Sequence, residues 1–115
     1  MQRHMLKSKI YRAKLTGVTL EYQGSIKVDQ DLMDAADLLP GEQVDVLNVN
    51  NGARLTTYVI RGKRKSGIVE LNGPAARLGV AGDPVVVLAY AVCDEQEARR
   101  LKPKIVFVDG RNRPR

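Results

Sequence analysis

Eight short β-prone segments, cut apart by glycine, proline and asparagine, constrain this chain more than any other feature. They span residues 9–15, 18–22, 25–28, 44–49, 54–60, 67–71, 85–92 and 105–108. Pro40-Gly41, Asn50-Asn51-Gly52, Lys65-Ser66-Gly67 and Asn72-Gly73-Pro74 interrupt the runs, because these residues favour turns over continued ladder pairing. Asn51-Gly52 lies between two alternating runs and predicts a hairpin. Helices have little room. Asp29 is placed to cap one through Leu32, Met33, Ala35, Ala36 and Leu39, ending near Pro40-Gly41. Asp94-Glu95-Gln96-Glu97 opens a second with acids at its positive end, and residues 74–78 offer one further turn. Many short strands and brief helices predict a mainly β fold closed into a barrel, which leaves few edges exposed.

An internal echo sharpens that expectation. Gly41-Glu42-Gln43-Val44-Asp45-Val46-Leu47 is repeated 41 residues later as Gly82-Asp83-Pro84-Val85-Val86-Val87-Leu88, and Ala35 matches Ala76 at the same offset. In both copies a short helix leads into Gly-acid and then a valine-rich strand. A duplicated strand-helix-strand unit predicts a pseudo-twofold small barrel.

The 115 residues fit one domain with a real core. A hydrophobic content of 43% marks a globular chain. The single cysteine, Cys93, has no partner for an internal disulfide and suits a reducing compartment. Residues 1–7 contain no apolar stretch that would serve as a signal peptide. The apolar run 85–93 is too short to span a bilayer. A cytoplasmic protein without a membrane partner is expected. The formal charge of +6 draws three units from Arg111, Arg113 and Arg115. Stacking platforms are few, namely Tyr11, Tyr22, Tyr58, Tyr90 and Phe107. A solvated surface therefore accounts for the charge better than a nucleic-acid partner does.

Familiar catalytic sets are missing. His4 stands alone near a start expected to be flexible, and Cys93 has no histidine near it in sequence. One Cys and one His make no Cys/His metal set. The segment from Gly62 to Gly67 lacks phosphate-loop spacing. Asp31, Asp34 and Asp37 recur at helical spacing and read as a solvated helix face. No metal is expected. If the chain is an enzyme, its electrophile must come from elsewhere. Gly24-Ser25 then has two readings: a bulge or turn, or a peptide bond meant to break.

Several motifs in order favour the second. Lys9, Tyr22-x-Gly24-Ser25, the segment Asn51-Gly52-Ala53-Arg54-Leu55-x-Thr57-Tyr58, and Asn72-Gly73-x-Ala75-Ala76 together resemble the aspartate 1-decarboxylase family. Asp29-x-Asp31-Leu32-Met33-Asp34-Ala35-Ala36 and Gly82-Asp83 extend the resemblance over nearly the whole chain. It implies a double-psi β-barrel, a homotetramer with active sites between subunits, and a proenzyme that cuts itself between Gly24 and Ser25. The single domain 1–115 would then become chains 1–24 and 25–115, the second starting with a covalent pyruvoyl group derived from Ser25. The implied reaction converts L-aspartate to β-alanine and carbon dioxide for pantothenate biosynthesis, the substrate amine forming a Schiff base with the pyruvoyl carbonyl.

The same resemblance suggests roles. Thr57 assists cleavage near the Gly24 carbonyl, Tyr58 donates the proton, and Tyr22 supports the site. Lys9 and Arg54 are the cations for an acidic substrate, while Asn72, Gly73, Pro74 and Ala75 orient it. Alternation puts Arg54 and Tyr58 on one strand face and Thr57 on the other, about 3.3 Å apart per residue. Either a bulge re-aims a side chain, or neighbouring subunits use opposite faces. Three residues depart from the commoner pattern: Tyr11 replaces a frequent histidine, Gln23 an occasional acid, and Pro74 the usual alanine. A barrel-type nucleic-acid-binding or regulatory module is the alternative, and it would show no dependence on Ser25; a third reading keeps the fold but loses activity, as a non-processing relative.

Overall fold

The computed structural model describes residues 1–20 and 22–115. Glu21, inside the expected run 18–22, lies outside the described residues. Among the described residues eight strands form: β1 Arg3–Lys14, β2 Gly17–Thr19, β3 Ser25–Asp29, β4 Gln43–Asn48, β5 Arg54–Gly62, β6 Val69–Asn72, β7 Pro84–Cys93 and β8 Lys104–Phe107. Helices α1 (Gln30–Ala35) and α2 (Glu95–Arg100) and a 3-10 helix at Gly73–Leu78 complete the chain. Asp29 caps α1 by accepting from the Asp31 N–H at 2.8 Å.

The sheet order is β2-β6-β3-β5-β4-β7-β1-β8. Only Leu15 and Thr16 separate β1 from β2, and their N–H groups donate to Asp83 O at 2.9 Å and Val69 O at 2.8 Å. The ring of strands thus returns on itself through a continuous stretch of backbone, with β8 as an appended parallel neighbour of β1.

The sequence echo is also a spatial symmetry. β4 and β7 pair antiparallel with Val46 opposite Val87, and β3 and β6 pair antiparallel with Val28 opposite Val69. Both pairs are separated by the 41 residues of the echo, so a pseudo-twofold axis passes through both. On either side of it lie the parallel pairs β3–β5 and β6–β2 and the antiparallel pairs β4–β5 and β7–β1. This is a mainly β architecture consistent with the double-psi barrel.

Alternation supplies the core. Ile10, Ile26, Val28, Val44, Val46, Val59, Val69, Leu71, Val85 and Val87 point inward from six strands and are buried. Leu32 and Met33 from α1 pack on the same cluster.

Local expectations fail at some boundaries. β1 begins at Arg3, so His4 is not in a flexible start but in a strand, opposite Val92. Pairing with the long β7 extends it, an effect no local propensity reveals. α1 stops at Ala35, and Asp37 adopts φ 56° beyond it, so only Asp31 and Asp34 share a helix face. Arg64 bridges both carboxylates, at 2.8 and 2.7 Å. β6 begins at Val69 because Gly67 belongs to the preceding turn, at φ 70°.

At the ends of β4 and β7, the buried Asp83 accepts from Asn48 Nδ2 at 2.8 Å, Asn50 Nδ2 at 3.0 Å and Val80 N–H at 3.1 Å. The Asn48 bond, then those from Asn50 and Val80, hold its pKa below the ordinary 3.8. A carboxyl depressed in the fold stabilises it fully above the unfolded-state value, and that contribution disappears as pH falls through the folded value. The thermal midpoint should therefore fall on acidification below about pH 3.8. Asp83→Asn should lower the midpoint by several degrees at pH 7 and flatten the acid limb, measured by circular-dichroism melts against pH.

Candidate active site

The pair Gly24-Ser25 enters β3 in an unusual backbone state. Gly24 has φ 110° and Ser25 φ 116°. Glycine adopts that region freely, but a residue with a Cβ is strained there, by about 1–3 kcal/mol. Ser25 is nevertheless fully buried, at 0% exposure. β6 holds it: Asn72 lies directly opposite, and its Nδ2 donates to Ser25 Oγ at 3.1 Å. The other amide atom, Asn72 Oδ1, is buried without a hydrogen-bond partner among the described residues.

Gly73 explains how closely the two segments approach. A Cβ there would sit 2.6 Å from both the Gly24 nitrogen and the Tyr22 carbonyl oxygen, and 2.8 Å from Gly24 Cα. With φ 65°, Gly73 also needs backbone freedom in its own right. Asn72-Gly73 is therefore a clamp on the Tyr22–Gly24 backbone, whereas in sequence it passes for an ordinary turn. Pro74 follows at the start of the 3-10 helix, where the first N–H groups have no helical acceptor and its missing donor costs no internal bond.

Ser25 lies in a cleft of about 420 Å³ shared with Gly24, Thr57, Tyr58, Pro74 and Ala75. Gln23 lines it too, as do Leu55 and Leu78 as apolar walls. The structure thus gathers the Gly24-Ser25 pair, Thr57, Tyr58 and the Pro74-Ala75 segment in one place. Asn72 and Gly73 lie directly behind Ser25 and Gly24. A small, partly apolar cleft with a few polar groups suits a small organic ligand.

Lys9 and Arg54 are not in that cleft. Lys9 lies on β1, opposite Leu88 of β7 and Ile105 of β8. Arg54 starts β5, and its Nη2 donates to Asp45 Oδ2 at 3.1 Å and Tyr90 Oη at 3.4 Å. These contacts, the Tyr90 hydroxyl first and then Asp45, raise its pKa further above the ordinary guanidinium value. Asp45 and Tyr90 are partners that composition did not expose. The Asn51-Gly52 hairpin held the clue, since its register sets Asp45 across from Thr56, diagonal to Arg54.

The register between β4 and β5 is unbroken from Gln43 opposite Tyr58 to Leu47 opposite Arg54. No bulge re-aims a side chain along that stretch. Arg54, Thr56 and Tyr58 are exposed, while Leu55 and Thr57 are half-buried and Val59 is buried. Tyr22 is 48% exposed, with Lys27 Nζ 6.0 Å from its ring centre. Tyr11 packs edge-on against Phe107 at 6.1 Å, outside the cleft. Among the described residues, no cluster of three His, Cys, Asp or Glu side chains is placed to hold a metal. No described helix is long and apolar enough to cross a membrane.

Comparison with known proteins gives a consistent result. A family profile described as aspartate decarboxylase matches residues 1–115. The aspartate 1-decarboxylase of Thermoanaerobacter pseudethanolicus is 54% identical over 114 residues, 99% of this chain and 97% of the relative. That of Pelotomaculum thermopropionicum is 57% identical over 109 residues, 95% of this chain and 83% of its own length. The Chloroherpeton thalassium protein of the same name is 51% identical over the whole chain and 85% of its own. With the family match spanning every residue and half or more of the positions identical, this chain belongs to the aspartate decarboxylase family.

Proposed function

We propose that the chain cuts itself between Gly24 and Ser25, converts Ser25 to a pyruvoyl group, and then decarboxylates L-aspartate to β-alanine. The observation that carries this reading is the buried Ser25 hydroxyl, strained at φ 116° beside Gly24 and touched by Asn72. An ester is normally less stable than the amide it replaces. Backbone strain at the scissile pair narrows that gap, and the Gly73 clamp maintains the strain.

Ser25 Oγ bonds to the Gly24 carbonyl carbon, the Gly24–Ser25 C–N bond breaks, and the nitrogen of residue 25 becomes a free amine. Thr57, in the same cleft, supplies a hydroxyl to the developing oxyanion. Loss of the Cα proton and of the Gly24 carboxylate from Cβ leaves dehydroalanine. Water then replaces the nitrogen, ammonia leaves, and residue 25 ends as a ketone. The products are chains 1–24 and 25–115.

The site fits that group. Residue 25 faces a cleft with room for a small amino acid, and Asn72 Oδ1, unpartnered among the described residues, offers an acceptor in a buried wall. A pyruvoyl carbonyl supplies the electrophile and electron sink that unmodified side chains lack. The chain's own residues do the rest. Asn72 and the Gly73, Pro74 and Ala75 backbone orient the substrate. The Tyr58 hydroxyl returns a proton to the carbon vacated by carbon dioxide. Arg54 and Lys9 bind carboxylates from outside the chain's own cleft, which supports a homotetramer with each site shared between subunits. The chain would act in the cytoplasm and serve pantothenate biosynthesis.

Denaturing mass spectrometry tests the cleavage. Wild type should yield a 1–24 fragment and a 25–115 fragment lighter by ammonia than a serine-started chain, while Ser25→Ala stays whole. An uncut wild type after warm incubation would sink the proposal. Gly73→Ala should fold, as read by circular dichroism, yet cleave at least about tenfold more slowly, since its Cβ displaces the strained pair. Arg54→Ala should cleave normally but lose about a hundredfold in kcat/KM for aspartate, the scale of a lost charge-assisted pair. Normal turnover in that variant would remove Arg54 from substrate binding.

A further inference from the structure

A second cleft, of about 350 Å³, shares no lining residue with the first. Gly82 and three charged segments far apart in sequence build it: the end of β1 at Lys14, the turn carrying Lys65 and Gly67, and the C-terminal turn carrying Arg111, Asn112 and Arg113. Four cationic residues, Lys14, Lys65, Arg111 and Arg113, all of them exposed, line one small concavity.

This convergence is constructed rather than incidental. Asn112 is buried at 3% exposure and adopts φ 59°. Its side chain accepts from the Lys14 N–H at 2.8 Å and donates to Lys14 O at 2.7 Å and Gly67 O at 2.9 Å. The C-terminal turn is thereby pinned to both other segments. It docks so tightly that a Cβ at Gly67 would collide with the Arg111 carbonyl oxygen. Holding like charges together costs free energy unless counter-charge is supplied. One nearby carboxylate, Asp109, supplies part of it: the backbone N–H groups of Arg113 and Arg111, and then the charges of those two arginines, hold its pKa below the ordinary 3.8. Asp109 accepts from the backbone N–H groups of Arg111 at 2.8 Å and Arg113 at 3.0 Å, and Asp29 accepts from the backbone of Asp31 and Gly67 at 2.8 Å each. Among the described residues, none of the four cations forms an ion pair.

We propose that this cleft binds a small multivalent oxyanion of the pyrophosphate class, the free anion or the diphosphate of a small metabolite. Two arginine forks and two lysine ammonium groups are donors suited to phosphate oxygens, and their positive charges suit a multiply charged anion. No aromatic side chain lines the cleft to stack a base, so a compact ligand fits better than a nucleic-acid strand.

Isothermal titration of the full, processed protein with sodium pyrophosphate at low ionic strength tests this. The expected result is saturable binding of one pyrophosphate per chain, tighter than orthophosphate and weakened by added salt. Lys65→Gln and Arg113→Gln should each weaken it about tenfold. Both side chains are exposed and free of hydrogen bonds among the described residues, so the fold should survive. Arg99→Gln, on α2 and outside the cleft, should leave binding unchanged. Saturating pyrophosphate should also raise the thermal midpoint of wild type but not of the Lys65/Arg113 double variant. Absence of saturable binding, equal affinity in the cleft variants, or equal weakening by Arg99→Gln would overturn the proposal. Tighter binding of a single-stranded oligonucleotide that is lost in the same variants would assign the cleft to nucleic acid instead. A diphosphate metabolite that competes with pyrophosphate for the site would support the metabolite as the source.

Discussion

The antiparallel pairing of β3 with β6 decides where everything else in the candidate active site falls. It sets Ser25 opposite Asn72 and brings the Gly73 backbone against Gly24. A serine at φ 116° is costly by about 1–3 kcal/mol, and a lone turn would relax it. Here Ile26 and Val28 follow immediately in β3, both fully buried. Each such side chain contributes about 1.5–3 kcal/mol on burial, so the register that seats them outweighs the strain just before them. The backbone cannot relax at Ser25 without unseating β3 from its neighbours.

The pseudo-twofold axis explains why so small a chain can hold strain at that place. Both central antiparallel pairs, Val28 with Val69 and Val46 with Val87, lie on it, and all four valines are in the core. The site forms on one side of this symmetric frame, where β3 enters and the 3-10 helix leaves. The opposite half repeats the helix-to-strand step but carries no second Gly-Ser pair. The repeat thus supplies the frame, and local divergence supplies the Gly24-Ser25 pair.

Charge is distributed between two clefts of different character. Around Ser25 the walls are apolar or neutral, and Arg54 is engaged with Asp45 and Tyr90 on an outer face. That arrangement keeps a guanidinium oriented and accessible without placing it beside the strained peptide. The second cleft gathers lysines and arginines from three segments that are scattered in the chain. Its basis is one buried amide, Asn112, whose three bonds convert an arginine-rich terminus into a fixed turn.

The sequence alone determined the strand-rich class, the hairpin at Asn51-Gly52, the Asp29 cap, the 41-residue repeat and the motif residues around Gly24-Ser25, because each rests on local chemistry or spacing within a short window. It could not extend β1 to Arg3, end α1 before Asp37, or show that Asn72 touches Ser25 and Asp45 touches Arg54. Those depend on which strands become neighbours and in what register, and pairing partners such as Ser25 and Asn72 lie 47 residues apart. The alternation along β5 was legible, with Thr57 on one face and Arg54 on the other; the absence of a bulge between them was not. Tertiary structure decided that point, because a ladder's register is set by the partner strand and by the core it seals, not by the strand's own residues.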